Sequence, residues 1–185
     1  LLVMAAIISE KVHRSVAAMA GAVILLLFHV LSIEEATSYV DINTIGVLVG
    51  MMLFVAVVKN SGLFEYVAIK AAKLTKGRPM AIMVVFAVIT ALLSAFLDNV
   101  TTVLLIGPMT IAITQMLEVN PIPYLLSQIM ASNIGGTATL IGDPPNIMIG
   151  SAAGLSFVDF VINTGSVIVI IMAVTVVIYL SLIHI

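Results

Sequence analysis

Long apolar blocks alternate with short polar clusters along this chain. Residues 1–9 are apolar and are closed by Glu10, Lys11, His13 and Arg14. Residues 15–33 form a 19-residue block interrupted only by His29, close to the roughly 20 residues that a bilayer core requires. A lone histidine near a helix end reads as structural, bonded to a backbone carbonyl or reaching the headgroups. Glu34, Glu35 and Asp41 then make an acidic loop, and 42–58 is the next span, ended by Lys59-Asn60-Ser61-Gly62. In 63–76 the pattern changes to helical amphipathicity: Phe64, Val67, Ala68, Ala71 and Leu74 share one face and Lys70, Lys73 and Lys76 another. That predicts a helix lying in the membrane interface with its lysines toward the headgroups.

Beyond Arg78 there is no lysine or arginine. Pro79 suits a first helical turn, 80–97 is strongly apolar, and Asp98-Asn99-Val100-Thr101-Thr102 separates it from a second apolar arm reaching Leu117, with Gly107-Pro108 as a kink. Two topologies fit these arms: two full crossings with an external polar turn, or a re-entrant hairpin whose polar tip lies at membrane depth. Residues 118–123 are a turn, and a helix beginning at Tyr124 runs into Asn133-Ile-Gly-Gly-Thr-Ala-Thr-Leu-Ile-Gly-Asp-Pro-Pro-Asn146. That stretch holds three Gly, two consecutive Pro and an Asp. Proline lacks the backbone donor and clashes with the preceding turn, so one continuous helix is excluded. Residues 124–153 therefore read as one broken crossing. Ser156 and Asp159 have capping-box spacing, and 161–183 completes the pattern as a last span with Asn163-Thr164-Gly165 near its start.

Composition sharpens the class. The 185 residues are 62% hydrophobic and 9% charged, against roughly 25% charged in soluble domains. Mean hydropathy is +1.30. The absence of cysteine excludes disulfides and thiolate metal sites. All seven basic residues fall at Lys11/Arg14 and Lys59–Arg78, with two spans between them and the acidic loop on the other side. The positive-inside rule makes the basic side cytoplasmic. The chain begins with Leu and ends inside an apolar run, which reads as an internal piece of a longer protein.

Chemistry concentrates at Asp98 and Asp143. An ionised carboxylate at the bilayer centre costs about 2.5–3.5 kcal/mol, and no later basic residue can pair with either one. Each must be hydrated, protonated, cation-bound or paired outside the chain; alternatively each caps a helix. Asn99, Thr101, Thr102, Thr137, Thr139 and Asn146 add neutral oxygens, the glycines free carbonyls, and Ser94 lies one turn before Asp98. Broken membrane helices are where secondary transporters place substrates and ions.

Leu-Asp-Asn-Val-Thr-Thr at 97–102 and the 133–146 stretch together resemble the paired signatures of the ion transporter superfamily. The nearest branch is the arsenite permease/NhaD antiporter group with its P-protein-like permeases, related to the citrate and dicarboxylate transporters. The resemblance runs from about residue 40 to the end. It implies an all-α integral membrane protein, the first of two inverted halves. The implied parts are scaffold-type transmembrane helices in 1–58, a cytoplasmic interfacial helix in 62–78, a re-entrant helical hairpin in 79–117, a discontinuous helix in 123–153 and a transmembrane helix in 156–183. Asp98-Asn99 would stand where the symporters carry a Ser-Asn-Thr tip; Asn99 matches, while Asp98 and Val100 depart and count against dicarboxylate specificity.

The same resemblance implies a substrate site at Asp98, Asn99, Thr101 and Thr102. It implies a sodium-type site drawn from Ser94, Asp98, Asn99, Gly135, Gly136, Thr137, Thr139, Gly142, Asp143 and Asn146. The expected function is a secondary active permease of a small ion, an anion by preference, coupled to sodium or protons, with sodium–proton antiport and arsenite efflux open. The expected setting is a prokaryotic plasma (inner) membrane. Expected partners are the lipid bilayer, a small ionic substrate and the second half of the same chain, with a homodimer left open; nucleic acid and cofactors are not expected. An intramembrane aspartyl protease is the reading from another class, but Leu-Ile-Gly-Asp at 140–143 lacks the Gly-x-Gly-Asp pattern. A metalloprotease fails because His13, His29 and His184 are dispersed.

Overall fold

The computed structural model describes residues 2–183, with side-chain packing described as far as Ser181. Leu1, His184 and Ile185 lie outside the described residues. Among those described there are helices and no strands, as the apolar blocks require.

The chain divides into two compact units at Ile42. The first contains α1 (Leu2–Ile8), α2 (Arg14–Leu27) and α3 (Ile33–Ser38). α1 packs on α2 through Val3, whose side chain fills the space left by Gly21. Two expectations fail here. α2 has 14 residues, shorter than the 15–33 block, because His29 adopts a left-handed conformation at φ 52° and ends it. The N–H groups of His29 and Val30 return to the carbonyls of Leu26 (3.1 Å) and Leu25 (3.0 Å), the paired closure that usually employs glycine. His29 Nδ1 lies 3.2 Å from the Leu27 carbonyl, the structural role foreseen for it.

The acidic loop is also partly helical. In α3 the Ser32 hydroxyl accepts from Glu35 N–H (3.1 Å) while the Glu35 carboxylate accepts from Ser32 N–H (2.9 Å). These bonds hold the Glu35 carboxyl below its usual range. Ser32-x-x-Glu35 was legible as a capping box.

The second unit carries α4 (Ile42–Asn60), α5 (Leu63–Leu74), α6 (Pro79–Ser94), α7 (Asn99–Met116), α8 (Ile122–Gly136), α9 (Pro144–Ala153), α10 (Phe157–Phe160) and α11 (Ser166–Ile183). α8 is its hub, packed against α6, α7 and α11. The apolar core joins Ala68 and Ala71 of α5 to Ile82, Met83 and Phe86 of α6, Ile106 of α7 and Tyr124 of α8. The amphipathic helix thus turns Phe64, Ala68 and Ala71 into protein. Leu74, expected on that face, is 72% exposed, because the inward face continues from Phe64, Ala68 and Ala71 to Thr75 instead. α7 runs unbroken through Gly107-Pro108; packing against neighbours lets buried helices tolerate proline.

Three described helices are long and apolar enough to cross a membrane: Ile42–Asn60, Asn99–Met116 and the run Phe157–Ser181. The last holds an unforeseen π-helical turn at Val161–Gly165, where Asn163 Nδ2 donates to the Asp159 carbonyl at 2.8 Å. The Ser156–Asp159 capping box forms as its spacing predicts.

Three buried threonines are satisfied within their own helices: Thr90 donates to Phe86 O, Thr110 to Ile106 O and Thr114 to Thr110 O. Gln128 is different. Its amide nitrogen Nε2 donates to Thr110 Oγ1 at 2.6 Å, but Oε1 is buried without a partner among the described residues. A half-satisfied amide contributes little net stability. Gln128→Met is therefore expected to change stability by less than about 1.5 kcal/mol, whereas Gln128→Glu, which buries a carboxylate, costs about 3 kcal/mol or more. Thermal unfolding of the detergent-solubilised protein measures both.

Candidate functional site

The site begins with how two helices end. α8 stops at Gly136 and α9 starts at Pro144, so residues 137–143 are the break that the Gly/Pro content demands. α6 stops at Ser94, and Ala95-Phe96-Leu97 turns the chain into α7. The break and the turn are packed on each other. Gly135 lies against α6 so closely that a Cβ there would collide with the Ala91 carbonyl. A Cβ on Gly142 would lie 2.5 Å from Gly136 O and 2.7 Å from Ser94 O. These glycines permit backbone-to-backbone contact, which is a stronger reason for them than the freeing of carbonyls.

Side chains complete the junction. Ser94, fully buried, donates to Ser132 O at 2.6 Å. Thr139 donates to Ala95 O, and its Oγ1 accepts from Gly142 N–H at 3.2 Å. Asn146 Nδ2 bridges Gly136 O (3.2 Å) and Thr139 O (2.9 Å), closing the break from the α9 side. Thr137 donates to Asn133 O at 2.8 Å on the exposed side.

Both acids stand at helix N-termini. Asp98 is the N-cap of α7 and its Oδ1 accepts from Thr101 N–H at 2.8 Å. Thr102, fully buried, donates to Asp98 O at 3.0 Å. Asp143 is the N-cap of α9, yet its carboxylate makes no capping bond to that helix. The two acids line one cavity of about 300 Å³ with Asn99, Val100, Thr101, Ile141, Pro144, Pro145 and Ile147. Its opposite wall is Leu48, Met51, Met52 and Val55 of α4.

The predicted residues therefore separate into two groups. Asp98, Asn99, Thr101 and Asp143 line the cavity. Ser94, Gly135, Gly136, Thr139, Gly142 and Asn146 form the packed and hydrogen-bonded junction behind it, while Thr102 bonds back within α7 and Thr137 within α8. Sequence reasoning missed the α4 wall, because an even apolar span shows no face, and it passed over the side chain of Asn133. Asn133 Oδ1 accepts from Asn99 Nδ2 at 2.8 Å, a pairing that a sequence cannot reveal across 34 residues.

Chemically, the cavity offers two carboxylates, an amide and a hydroxyl beside two helix N-termini, with apolar residues opposite. Hard cations are held by such oxygens, while exposed N–H groups at helix N-termini favour anions. Apolar spans around a broken, polar-tipped pair of helices define a multi-pass integral membrane protein.

Residues 4–184 match the citrate transporter family, and the chain belongs to it. It is 43% identical over 171 residues to a 46 kDa membrane protein of Mycobacterium leprae, covering 90% of this chain and 40% of that protein. An uncharacterized transporter of Mycobacterium tuberculosis is 50% identical over 133 residues, 72% of this chain and 31% of its own length. The human P protein is 42% identical over 168 residues, 85% of this chain and 20% of its own. The chain thus spans less than half the length of these relatives. No solved structure matches it significantly.

The Gly135–Ala91 contact makes a direct prediction. Gly135→Ala forces α6 and α8 apart and is expected to destabilise the protein by about 1–3 kcal/mol, read as a lowered unfolding temperature in detergent.

Proposed function

We propose that this chain is the first of two halves of a secondary active transporter that moves a small ion, an anion by preference, coupled to sodium or protons by alternating access. One observation carries the reading: Asp98 and Asp143 line a single cavity at two helix N-termini, and the sequence places no basic residue after Arg78 to neutralise them. A coupling cation held by Asp98, Asn99, Thr101 and Asp143 would balance that charge. Of the other predicted residues, Ser94, Gly135, Gly136, Thr139, Gly142 and Asn146 would keep the two helix ends in register behind it, and Thr102 and Thr137 would have no direct part. Family membership and the likeness to a mycobacterial protein named as a transporter support transport. Sodium–proton antiport and arsenite efflux remain within this reading, since substrate choice would also depend on the second half.

The length of α6, though not that of α7, supports the re-entrant hairpin. α6 has 16 residues, about 24 Å at 1.5 Å per residue, short of the roughly 30 Å hydrocarbon core. Its turn carries the polar tip, which in a simple crossing would need to reach external water. The basic ends Lys11/Arg14 and Lys59–Arg78 are assigned to the cytoplasm by the positive-inside rule, in a prokaryotic plasma membrane.

Two experiments test the proposal on the full-length protein. Sodium is expected to raise the unfolding temperature, and Asp98→Asn is expected to abolish that rise together with coupled transport; an unchanged sodium response in the variant refutes the cation site. Thr101→Cys is expected to react with a membrane-impermeant thiol reagent from the cytoplasmic side. Labelling from outside alone would replace the hairpin with two crossings.

A further inference from the structure

The cavity that holds the two acids has a neighbour. A groove of about 240 Å³ is lined by Asn99, Val100, Val103, Leu104, Ile129, Ser132 and Asn133. Asn99 and Val100 line both spaces, so the first turn of α7 is the partition between them. What fixes that partition is a chain of amides. Asn133 Nδ2 donates to the Ile129 carbonyl at 3.0 Å, one helical turn back in α8. This commits the Asn133 amide nitrogen and leaves its Oδ1 to face α7. Oδ1 accepts from Asn99 Nδ2 at 2.8 Å, which in turn sends Asn99 Oδ1 back to its own helix, where it accepts from Val100 N–H at 2.8 Å. Each amide has its orientation set by the one before.

We infer that Asn133 is the positioning residue of the coupling site: through the Asn99–Asn133 bond it sets which face of the Asn99 amide meets the acid cavity and holds the α7 tip against α8. The inference rests on the cation-site reading above. The bond joins side chains of α7 and α8, while the neighbouring bonds from Ser94 to Ser132 O and from Thr139 to Ala95 O tie α8 and its break to α6 and the turn after it. Those bonds fix where the helices lie and leave the Asn99 side chain free to turn. Beyond the local bond from Val100 N–H to its Oδ1, the Asn99 amide is held by Asn133. Without it, Asn99 Nδ2 loses its acceptor, and the amide can rotate to present a donor rather than an oxygen to a cation beside Asp98. Asn133 itself faces the groove and is not among the residues lining the acid cavity, so it acts on the site through Asn99.

A double-mutant cycle on the full-length protein tests this, with sodium chloride against an equal concentration of choline chloride as the probe. The readout is the sodium concentration for half-maximal thermal stabilisation. Asn133→Ala is expected to raise that concentration about three- to tenfold, the equivalent of one net hydrogen bond, with little change in unfolding temperature in choline. In an Asn99→Ala background the same substitution is expected to have no further effect, because its route to the site is gone. Asn133→Asp keeps an acceptor for Asn99 but loses the donor to Ile129 O, and is expected to fall between wild type and Asn133→Ala. Independent, additive effects of the two alanine substitutions, or a lower unfolding temperature in choline with unchanged sodium dependence, would overturn the inference and leave the cation site standing. A wild-type protein that ignores sodium would remove the cation site and this inference together.

Discussion

The absence of a side chain at Gly135 is the constraint on which the site depends. It allows α8 to press its backbone onto the Ala91 carbonyl of α6. Once those helices meet at that depth, the turn after Ser94 and the break after Gly136 necessarily lie side by side. The remaining bonds follow from proximity: Ser94 reaches Ser132 O, Thr139 reaches Ala95 O, and Gly142 fits between Gly136 and Ser94. Unpaired backbone groups are costly in a membrane, and a broken helix survives only where protein or water satisfies it. Here Asn146 bridges two carbonyls of the break and Thr139 captures an N–H. The break is held by the same contacts that bring it to the hairpin tip.

Much of this was legible because membrane sequences carry strong local signals. Gly and Pro at 135–145 forbid a continuous helix on backbone grounds alone, and α8 and α9 end and begin where those residues say. The Ser156–Asp159 box formed as spaced. The all-helical fold followed from apolar blocks too long for anything else. Other features were hidden because their signals were weaker or absent. His29 and Glu118 end α2 and α7 in left-handed conformations at φ 52° and 55°, a role expected of glycine, so no punctuation marked them. α4 is apolar all round, so its sequence did not say which face would line the cavity. Ser32-x-x-Glu35 was a readable signal that the acidic character of the segment obscured.

The predicted site residues lie in one neighbourhood, but their side chains are engaged in different ways. Sequence alone weighs every polar residue near a break equally, since each offers an oxygen. Packing distinguishes them. Ser94 and Thr102 are fully buried with their hydroxyls committed to backbone carbonyls, and Asn146 spends its donors on the break. Asp98 is divided: one oxygen serves as a helix cap while the side chain still lines the cavity. The capping and ion-binding roles, set against each other on sequence grounds, are thus compatible in one carboxylate, because a cap uses a single oxygen.

That compatibility gives the acids unequal parts. Asp98 is tied to the first turn of α7 through Thr101 N–H, so any movement of the tip carries its charge along. Asp143 has no such tie to α9 and stands at the end of the break that packs against α6. A cation shared between them would bond a carboxylate that moves with the hairpin to one that reports the state of the break. Binding energy spent on such an ion is gained only when tip and break are in register, and a ligand shifts a conformational equilibrium only by such differential affinity. Under the proposed function such a link would lie at the junction of two helix ends, beside the close backbone contact at Gly135.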